Sequence, residues 1–113
     1  MRLRADFFVA ALIRRAETNG AVAMLRLRGA AEAGAVFIKV DCLDGRAAVY
    51  GPAPQTHELP QGVDRIFARL HQQEWIEPTD AEARLKREVA FDSDLWIVEI
   101  EDRAGRAFVD IVA

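Results

Sequence analysis

The stretch FDSDLWIVEIED, residues 91–102, places five carboxylates around a run of large apolar residues. If residues 95–102 form a strand, Glu99 and Glu101 point to the same face with their Cα atoms roughly 6.5–7 Å apart. Two long acidic side chains at this spacing could hold one hydrated divalent ion, or divide the roles of general acid and general base. The stretch therefore raises the hypothesis of a metal-dependent hydrolase that uses Glu99 and Glu101.

The same acids have a structural explanation, which we favour. A nuclease-type acidic strand carries Lys two residues after a Glu, whereas Glu99 is followed by Ile100 and Glu101. Charges at the outer end of a strand discourage edge-to-edge association, and Asp92 or Asp94 could accept backbone N–H bonds in the preceding turn. We therefore predict no metal site.

The alternation within this strand assigns its side chains to two faces. Trp96, Val98 and Ile100 are predicted to face the main core, whereas Glu99 and Glu101 lie on a wetter face beside arginines of neighbouring strands. Loss of Trp96 should destabilise the fold strongly, and neutralisation of the two glutamates should hardly matter.

Nucleophilic catalysis lacks a convincing set of residues. The chain has one serine, Ser93, one cysteine, Cys42, and two histidines, His57 and His71, with no glycine-rich phosphate loop. Neither histidine lies at metal-ligand spacing from the other. We predict no catalytic residue and no cofactor, and we do not expect an enzyme.

Cations and aromatic rings interleave on the outward faces of several predicted strands. The residues concerned are Arg26, Arg28, Phe37, Lys39, Arg65, Phe67, Arg69 and His71. Such a face could bind single-stranded nucleic acid by base stacking and phosphate contacts. The alternative, favoured by the pI of about 5.4, is that helices cover this face and that Phe37 and Phe67 belong to the core.

The segment YGPAPQ forms a third candidate site, composed of Tyr50, Gly51, Pro52, Pro54 and Gln55 together with the intervening alanine. Its two prolines hold the backbone extended, so little conformational entropy remains to be lost when a partner binds. The same prolines could instead serve only to end a strand. We predict a partner-binding loop here.

Composition indicates one ordinary globular domain over residues 1–113, with 51% hydrophobic and 29% charged residues and a net charge of −3. The longest apolar run, residues 7–13, is far shorter than the roughly 20 residues of a membrane-spanning helix. A single cysteine is typical of a reducing compartment. We expect a cytoplasmic protein without a membrane partner.

Hydrophobic periodicity predicts the elements that position these residues. Period-two patterns predict strands over residues 22–28, 36–42, 46–50, 65–71, 95–102 and 107–112, with a short helix as the alternative for 65–71. Helices are predicted from residue 6 to 18 and over 80–90, the second with a capping box formed by Thr79 and Glu82. Tight turns at Asp44-Gly45 and Ala104-Gly105 predict two hairpins. The order α-β-β-β-β-α-β-β favours an α+β domain with a mainly antiparallel sheet of five to six strands and two packed helices.

The segments RLRADFFVAALIRR, GAVFIKV, VYGPAPQ and LKREVAFDSDLWIVEIED together resemble a family of short alphaproteobacterial proteins, the domain-of-unknown-function family numbered 1491. The resemblance spans nearly the whole chain in the same order. It implies no particular activity, cofactor or catalytic residue. It does mark the YGPAPQ segment, Asp92, Asp94 and Trp96 as family features.

These observations favour a non-catalytic protein-interaction module. The expected partner is a protein that binds the YGPAPQ segment, and a homodimer is a further expectation because small sheet proteins often cover an open edge in a two-fold dimer. Single-stranded nucleic-acid binding is the alternative, and the metal-dependent hydrolase is the second alternative.

Overall fold

Two helices and six strands occupy residues 3–54 and 63–112, the part of the chain that this computed structural model describes. In chain order they are α1 (Ala5–Thr18), β1 (Val22–Leu27), β2 (Val36–Asp41), β3 (Ala47–Pro52), β4 (Ile66–Arg69), α2 (Pro78–Phe91), β5 (Trp96–Glu101) and β6 (Asp110–Ile111). The α+β class is confirmed.

The strands form one mixed sheet in the order β1-β5-β2-β3-β4-β6. Strand β5 is antiparallel to β1 but parallel to β2, and β6 is parallel to β4. The prediction of a mainly antiparallel sheet is therefore wrong. The β2–β3 hairpin is confirmed, with its turn at Asp44-Gly45.

The second predicted hairpin does not form. Both edges of β5 are already occupied by β1 and β2, so β5 offers no free edge to the residues that follow it. After a turn closed by a hydrogen bond from the Gly105 N–H to the Asp102 carbonyl, the chain crosses to the opposite end of the sheet and pairs there with β4. Only Asp110–Ile111 of the predicted last strand are extended in the sheet.

Both faces of the sheet are buried, each under one helix. On the α1 face, Phe8 and Leu12 pack over Ile38, Trp96 and Val98. On the α2 face, the core contains Phe37, Ala47, Val49, Ala81, Leu85, Leu95 and Ile97. The predicted orientation of the β5 apolar residues toward the main core is confirmed.

Helix α2 begins two residues earlier than predicted, because Pro78 occupies its first turn, where a missing N–H costs nothing. The residue at the N-cap is Glu77, and no side chain caps the helix. The capping box is therefore wrong. Glu82 instead points toward cations of the sheet.

Replacement of Trp96 by alanine should test the α1-face core. Trp96 is 1% exposed, and its Nε1–H donates to the Ala30 carbonyl at 2.8 Å. Trp96→Ala should lower the free energy of unfolding by about 3–5 kcal/mol in urea titrations. Trp75→Ala is the matched control, because Trp75 is only partly buried and should cost clearly less. Equal losses would contradict this assignment of the core.

Candidate functional site

Tyr50, Gly51 and Pro52 of the YGPAPQ segment are the last residues of β3 rather than part of a projecting loop. Tyr50 is 8% exposed and packs in the α1-face core, and Gly51 is buried so closely that a Cβ there would lie 2.8 Å from the Phe37 ring. Pro52 and Pro54 remain exposed. Gln55 lies outside the described residues. The expectation that Tyr50 and Gly51 form an exposed loop is therefore wrong.

The register of β3 explains why its proline is tolerated. The Leu70 N–H donates to Val49, and the Ala53 N–H donates to Ile66, so these are hydrogen-bonded positions of the β3–β4 ladder. Hydrogen-bonded and non-hydrogen-bonded pairs alternate along an antiparallel ladder. Pro52 therefore lies in a non-hydrogen-bonded pair, where β4 accepts no N–H from β3. The last β3 residue that pairs with β2 is Tyr50. Pro52 lies beyond this pairing, so β2 needs no N–H from it either.

The predicted basic and aromatic face is not a single surface. Phe37 lies in the core under α2, and Phe67 lies in the core on the α1 face, where its ring stacks on Phe8 with centroids 5.8 Å apart. Both rings are buried by helices, as the alternative interpretation predicted. Arg65 is also buried, with its guanidinium 5.2 Å from the centre of the Phe8 ring.

The remaining cations of that set point in different directions. A β-bulge between Leu25 and Leu27 interrupts the alternation of β1. Arg26 reaches the α2 face, whereas the extra residue of the bulge turns Arg28 to the α1 face, where it lies over the Trp96 ring. Arg69 donates to the carbonyl oxygens of two residues just beyond its own strand.

Glu99 lies in a compact ion network rather than on a wet surface. It is 8% exposed, and its Oε1 accepts a hydrogen bond from Arg26 at 2.6 Å, while Lys39 Nζ lies 3.7 Å from Oε2. Glu82 of α2 accepts bonds from both cations, at 2.8 Å from Arg26 and 2.6 Å from Lys39. The hydrogen bond from Arg26, aided by that from Lys39, lowers the pKa of Glu82 to about 2.

The ion network changes the interpretation of the acidic strand. The expectation that Glu99 occupies a wetter face is wrong, although its predicted position beside an arginine of a neighbouring strand is confirmed. Its carboxylate is bound to cations of the protein, and within the described residues no three His, Cys, Asp or Glu side chains are grouped as a metal site would need. Glu101 is half-buried, opposite Val22 on one side and Asp41 on the other.

His71 has a structural role in the chain. Its Nε2 accepts a hydrogen bond from the Val49 N–H at 3.1 Å, and its Nδ1 lies 2.8 Å from the Gln73 carbonyl oxygen. This pair of contacts requires the neutral ring with the proton on Nδ1. Burial lowers the pKa of His71.

One surface that the sequence reading did not single out combines an open strand edge with a groove. Strand β1 ends the sheet, and its side chains Val22, Met24 and Leu25 are exposed. Beside it, a groove of about 550 Å³ runs between β1 and α2, with apolar walls formed by Leu85, Val89, Ala90 and Ile97 and with Arg26, Glu82 and Lys86 at its rim. Phe91, at the end of α2, is 91% exposed.

A sequence signal for this surface does exist. Residues 22–25 are four successive apolar residues, of which a half-exposed strand can bury only alternate ones. Phe91 follows the Ala81, Leu85 and Val89 stripe of α2 by two residues, which places it off the buried side. We name the exposed part of β1, the groove and Phe91 together the β1–α2 surface.

A family model described as "Protein of unknown function (DUF1491)" matches residues 3–110 of the chain. The chain belongs to the DUF1491 family. The resemblance noted in the sequence is thereby confirmed over almost the full length.

Solved structures of DUF1491 relatives are similar throughout. The crystal structure of a DUF1491 family protein from Caulobacter crescentus CB15 is 37% identical, with a TM-score of 0.82 and 100% of both chains covered. The solution structure of protein Atu0922 from A. tumefaciens is 39% identical, covers 99% of this chain and 96% of its own, and has a TM-score of 0.82. An NMR structure of a DUF1491 family protein from C. crescentus CB15 is 40% identical at a TM-score of 0.81 and covers 100% of this chain and 99% of its own.

No curated protein matches the chain. Neither helix in the described part of this DUF1491 chain is long and apolar enough to cross a membrane.

The neutral ring of His71 predicts a dependence of stability on pH. Because its folded-state pKa lies below the usual 6.5, the unfolded chain binds the proton more readily, and stability falls as pH drops from about 7 toward 5. We expect the wild type to lose stability over this range and His71→Gln to lose clearly less. Melting temperatures across this range provide the measurement. A His71→Gln curve with the wild-type slope would contradict the role.

The ion network predicts different costs for the two glutamates of β5. Glu99→Gln leaves Arg26 and Lys39 with Glu82 as their remaining anion, so we expect a loss of about 1–3 kcal/mol in denaturant titrations. Glu101→Gln should stay within about 0.5 kcal/mol. Equal effects would contradict the network.

The same variants test the metal hypothesis. An ion that binds only the folded state must raise the melting temperature as its concentration rises. A rise with Mg²⁺, Mn²⁺ or Ca²⁺ that Glu99→Gln/Glu101→Gln abolishes would restore the metal-dependent hydrolase.

Proposed function

We propose that this chain is a cytoplasmic protein-interaction module whose partner is a second copy of itself, bound at the β1–α2 surface. The observation that carries the proposal is the open β1 edge with its exposed apolar side chains beside an apolar groove. The buried free thiol of Cys42 is compatible with a reducing compartment.

Residues 22–25 of the β1 edge lack the usual protection against pairing. An open edge presents unpaired N–H and C=O groups, and soluble proteins generally protect it with lysine, proline or inward-pointing charges. Residues 22–25 carry none of these, and the one charged side chain of β1, Arg26, is engaged with Glu82 and Glu99. The bulge between Leu25 and Leu27 limits the regular part of this edge to residues 22–25, which still lies within the usual range of strand lengths.

A two-fold axis perpendicular to the sheet would pair β1 antiparallel with the β1 of a second copy. Both α2 helices then lie on the same face of a continuous sheet, with their grooves toward the axis. Phe91 of each copy can enter the groove of the other, which supports burial of an aromatic ring that is otherwise 91% exposed. The rim carries Glu82 and Lys86, so the two copies can place opposite charges against each other.

This surface replaces the YGPAPQ segment as the proposed contact. Tyr50 cannot serve as an aromatic anchor without leaving the core, whereas Phe91 already projects into solvent. Anchors at interfaces are commonly aromatic residues that fill a pocket of the partner.

Light scattering during size exclusion tests the proposal. We expect the wild type to have about twice the chain mass of 12.6 kDa. Phe91→Ser should shift the mass toward that of the monomer, because the exposed ring contributes to the interface and not to the core. Phe7→Ser is the matched control, since it removes another exposed phenylalanine, on α1, and should leave the dimer intact.

Hydrogen exchange distinguishes edge pairing from other association. Amides of β1 should become more protected as the protein concentration rises, and Met24→Lys should remove this effect. A monomeric wild type at about 1 mM, where even a weak complex would be populated, would overturn the proposal. A dimer whose β1 amides stay unprotected would place the contact elsewhere and would equally contradict it.

A further inference from the structure

A second concave region lies at the other end of the sheet from the β1–α2 surface, between α1 and the segments that lead into β4 and β6. Its volume is about 460 Å³, within the range of sites for small ligands. Among the described residues, its lining comprises Leu3, Phe8, Ala11, Arg15, Asp64, Arg65, Phe108, Val109 and Asp110. None of them belongs to the β1–α2 surface. We call this region the α1–β6 cleft.

The α1–β6 cleft contains a buried carboxylate oxygen that lacks a hydrogen bond. Asp64 Oδ1 accepts the Leu3 N–H at 2.8 Å, whereas Oδ2 is buried and has no hydrogen-bond donor among residues 3–54 and 63–112. Arg65 Nε lies 3.6 Å from Oδ2, which makes an ion pair but is too long for a hydrogen bond. A buried acceptor left in this state costs free energy, and a ligand N–H could satisfy it.

The opposite wall of the cleft is held in a strained conformation. Phe108 has φ of 61°, in the left-handed region that bulky residues rarely adopt. Arg15 Nε donates to the Phe108 carbonyl at 2.9 Å, and the Arg106 guanidinium lies 4.8 Å from the centre of its ring. Two arginines thus hold Phe108 in place at the cleft. Residues with a strained backbone that is maintained by such contacts are found most often at ligand sites.

The charges around the cleft define the kind of ligand that fits. Of the lining residues that the structure describes, Arg15 and Arg65 supply two positive charges and Asp64 and Asp110 two negative charges, so these charges balance. A neutral lining with separated charges suits a molecule that carries both signs better than a net anion or a net cation. The rings of Phe8 and Phe108 suit an apolar group on the same molecule.

We propose that the α1–β6 cleft binds a small zwitterion with an apolar side group, the chemical class of the apolar α-amino acids. The ligand ammonium donates to Asp64 Oδ2, its carboxylate accepts from Arg15, and its side group packs against Phe8 and Phe108. No covalent step is involved. The proposal is independent of self-association, because the cleft and the β1 edge lie at opposite ends of the sheet.

Titration of the full chain with L-phenylalanine and L-leucine, followed by amide chemical shifts, tests the proposal. We expect saturable shifts at Ala11, Asp64 and Val109. Phenethylamine lacks the carboxylate and 3-phenylpropionate lacks the ammonium, so each should bind at least roughly tenfold more weakly, as expected for loss of one charged hydrogen bond. In the dipeptide Leu-Leu the ammonium and the carboxylate lie further apart than in L-leucine. The comparison of their affinities distinguishes a free amino acid from a peptide as the ligand.

Variants assign the ligand to the cleft. Asp64→Asn and Arg15→Gln should each weaken L-phenylalanine binding by roughly tenfold, whereas Arg14→Gln, the exposed neighbour that does not line the cleft, should bind as the wild type does. Dispersed amide spectra verify that each variant remains folded. Absence of saturable shifts up to about 10 mM, equal binding of the single-charge analogues, or tighter binding of the dipeptide would overturn the proposal.

Discussion

Insertion of β5 between β1 and β2 is the constraint on which the rest of this structure depends. The two outer partners are near neighbours in sequence, yet they do not pair with each other, and a strand from some 60 residues later must enter between them. The entering strand is buried on both faces, which explains its nearly continuous run of large apolar residues. Until β5 arrives, β1 has no strand neighbour and the two cores cannot close. The fold thus depends on contacts between distant parts of the chain, which form slowly.

The ion network places a strong demand on this arrangement. Glu99 lies on β5, Arg26 on β1, Lys39 on β2 and Glu82 on α2, so four elements meet at one set of charges. A slip of β5 by one residue would turn Glu99 into the α1-face core and leave the cations without it. Burying charges costs free energy even when they are paired, but this network of ion pairs can form in only one register of β5. The same slip would turn Trp96, Val98 and Ile100 out of the α1-face core, so apolar packing and the ion network specify the same register.

The elements themselves could be predicted from the sequence, because periodicity reports which side chains a strand or helix can bury. The β2–β3 turn at Asp44-Gly45 and the inward face of Trp96 were correct for this reason. Pairing between strands was not predictable, since it depends on which strand edges remain free. The predicted hairpin after β5 does not form because β1 and β2 already pair with both edges of β5. The basic and aromatic face was predicted wrongly for a related reason. Strand alternation places Arg26 and Arg28 on one face of the sheet, but a bulge in β1 puts them on opposite faces. Phe37 and Phe67 are buried under helices on opposite faces of the sheet. The exposure of Pro52 does not make its segment a loop, because the spacing of hydrogen bonds along β4 tolerates proline there.

The two ends of the sheet differ in a way that bears on assembly. At the β6 end, the edge strand has only two residues, which is too short to pair with a strand of another chain. At the β1 end, the edge has six residues and no protecting charge among its first four. A protein with two long open edges could add copies without limit, whereas one with a single usable edge can pair only once, β1 with β1, about a two-fold axis. The short β6 therefore fits the proposed two-fold dimer, and the cleft beside it lies outside the proposed contact.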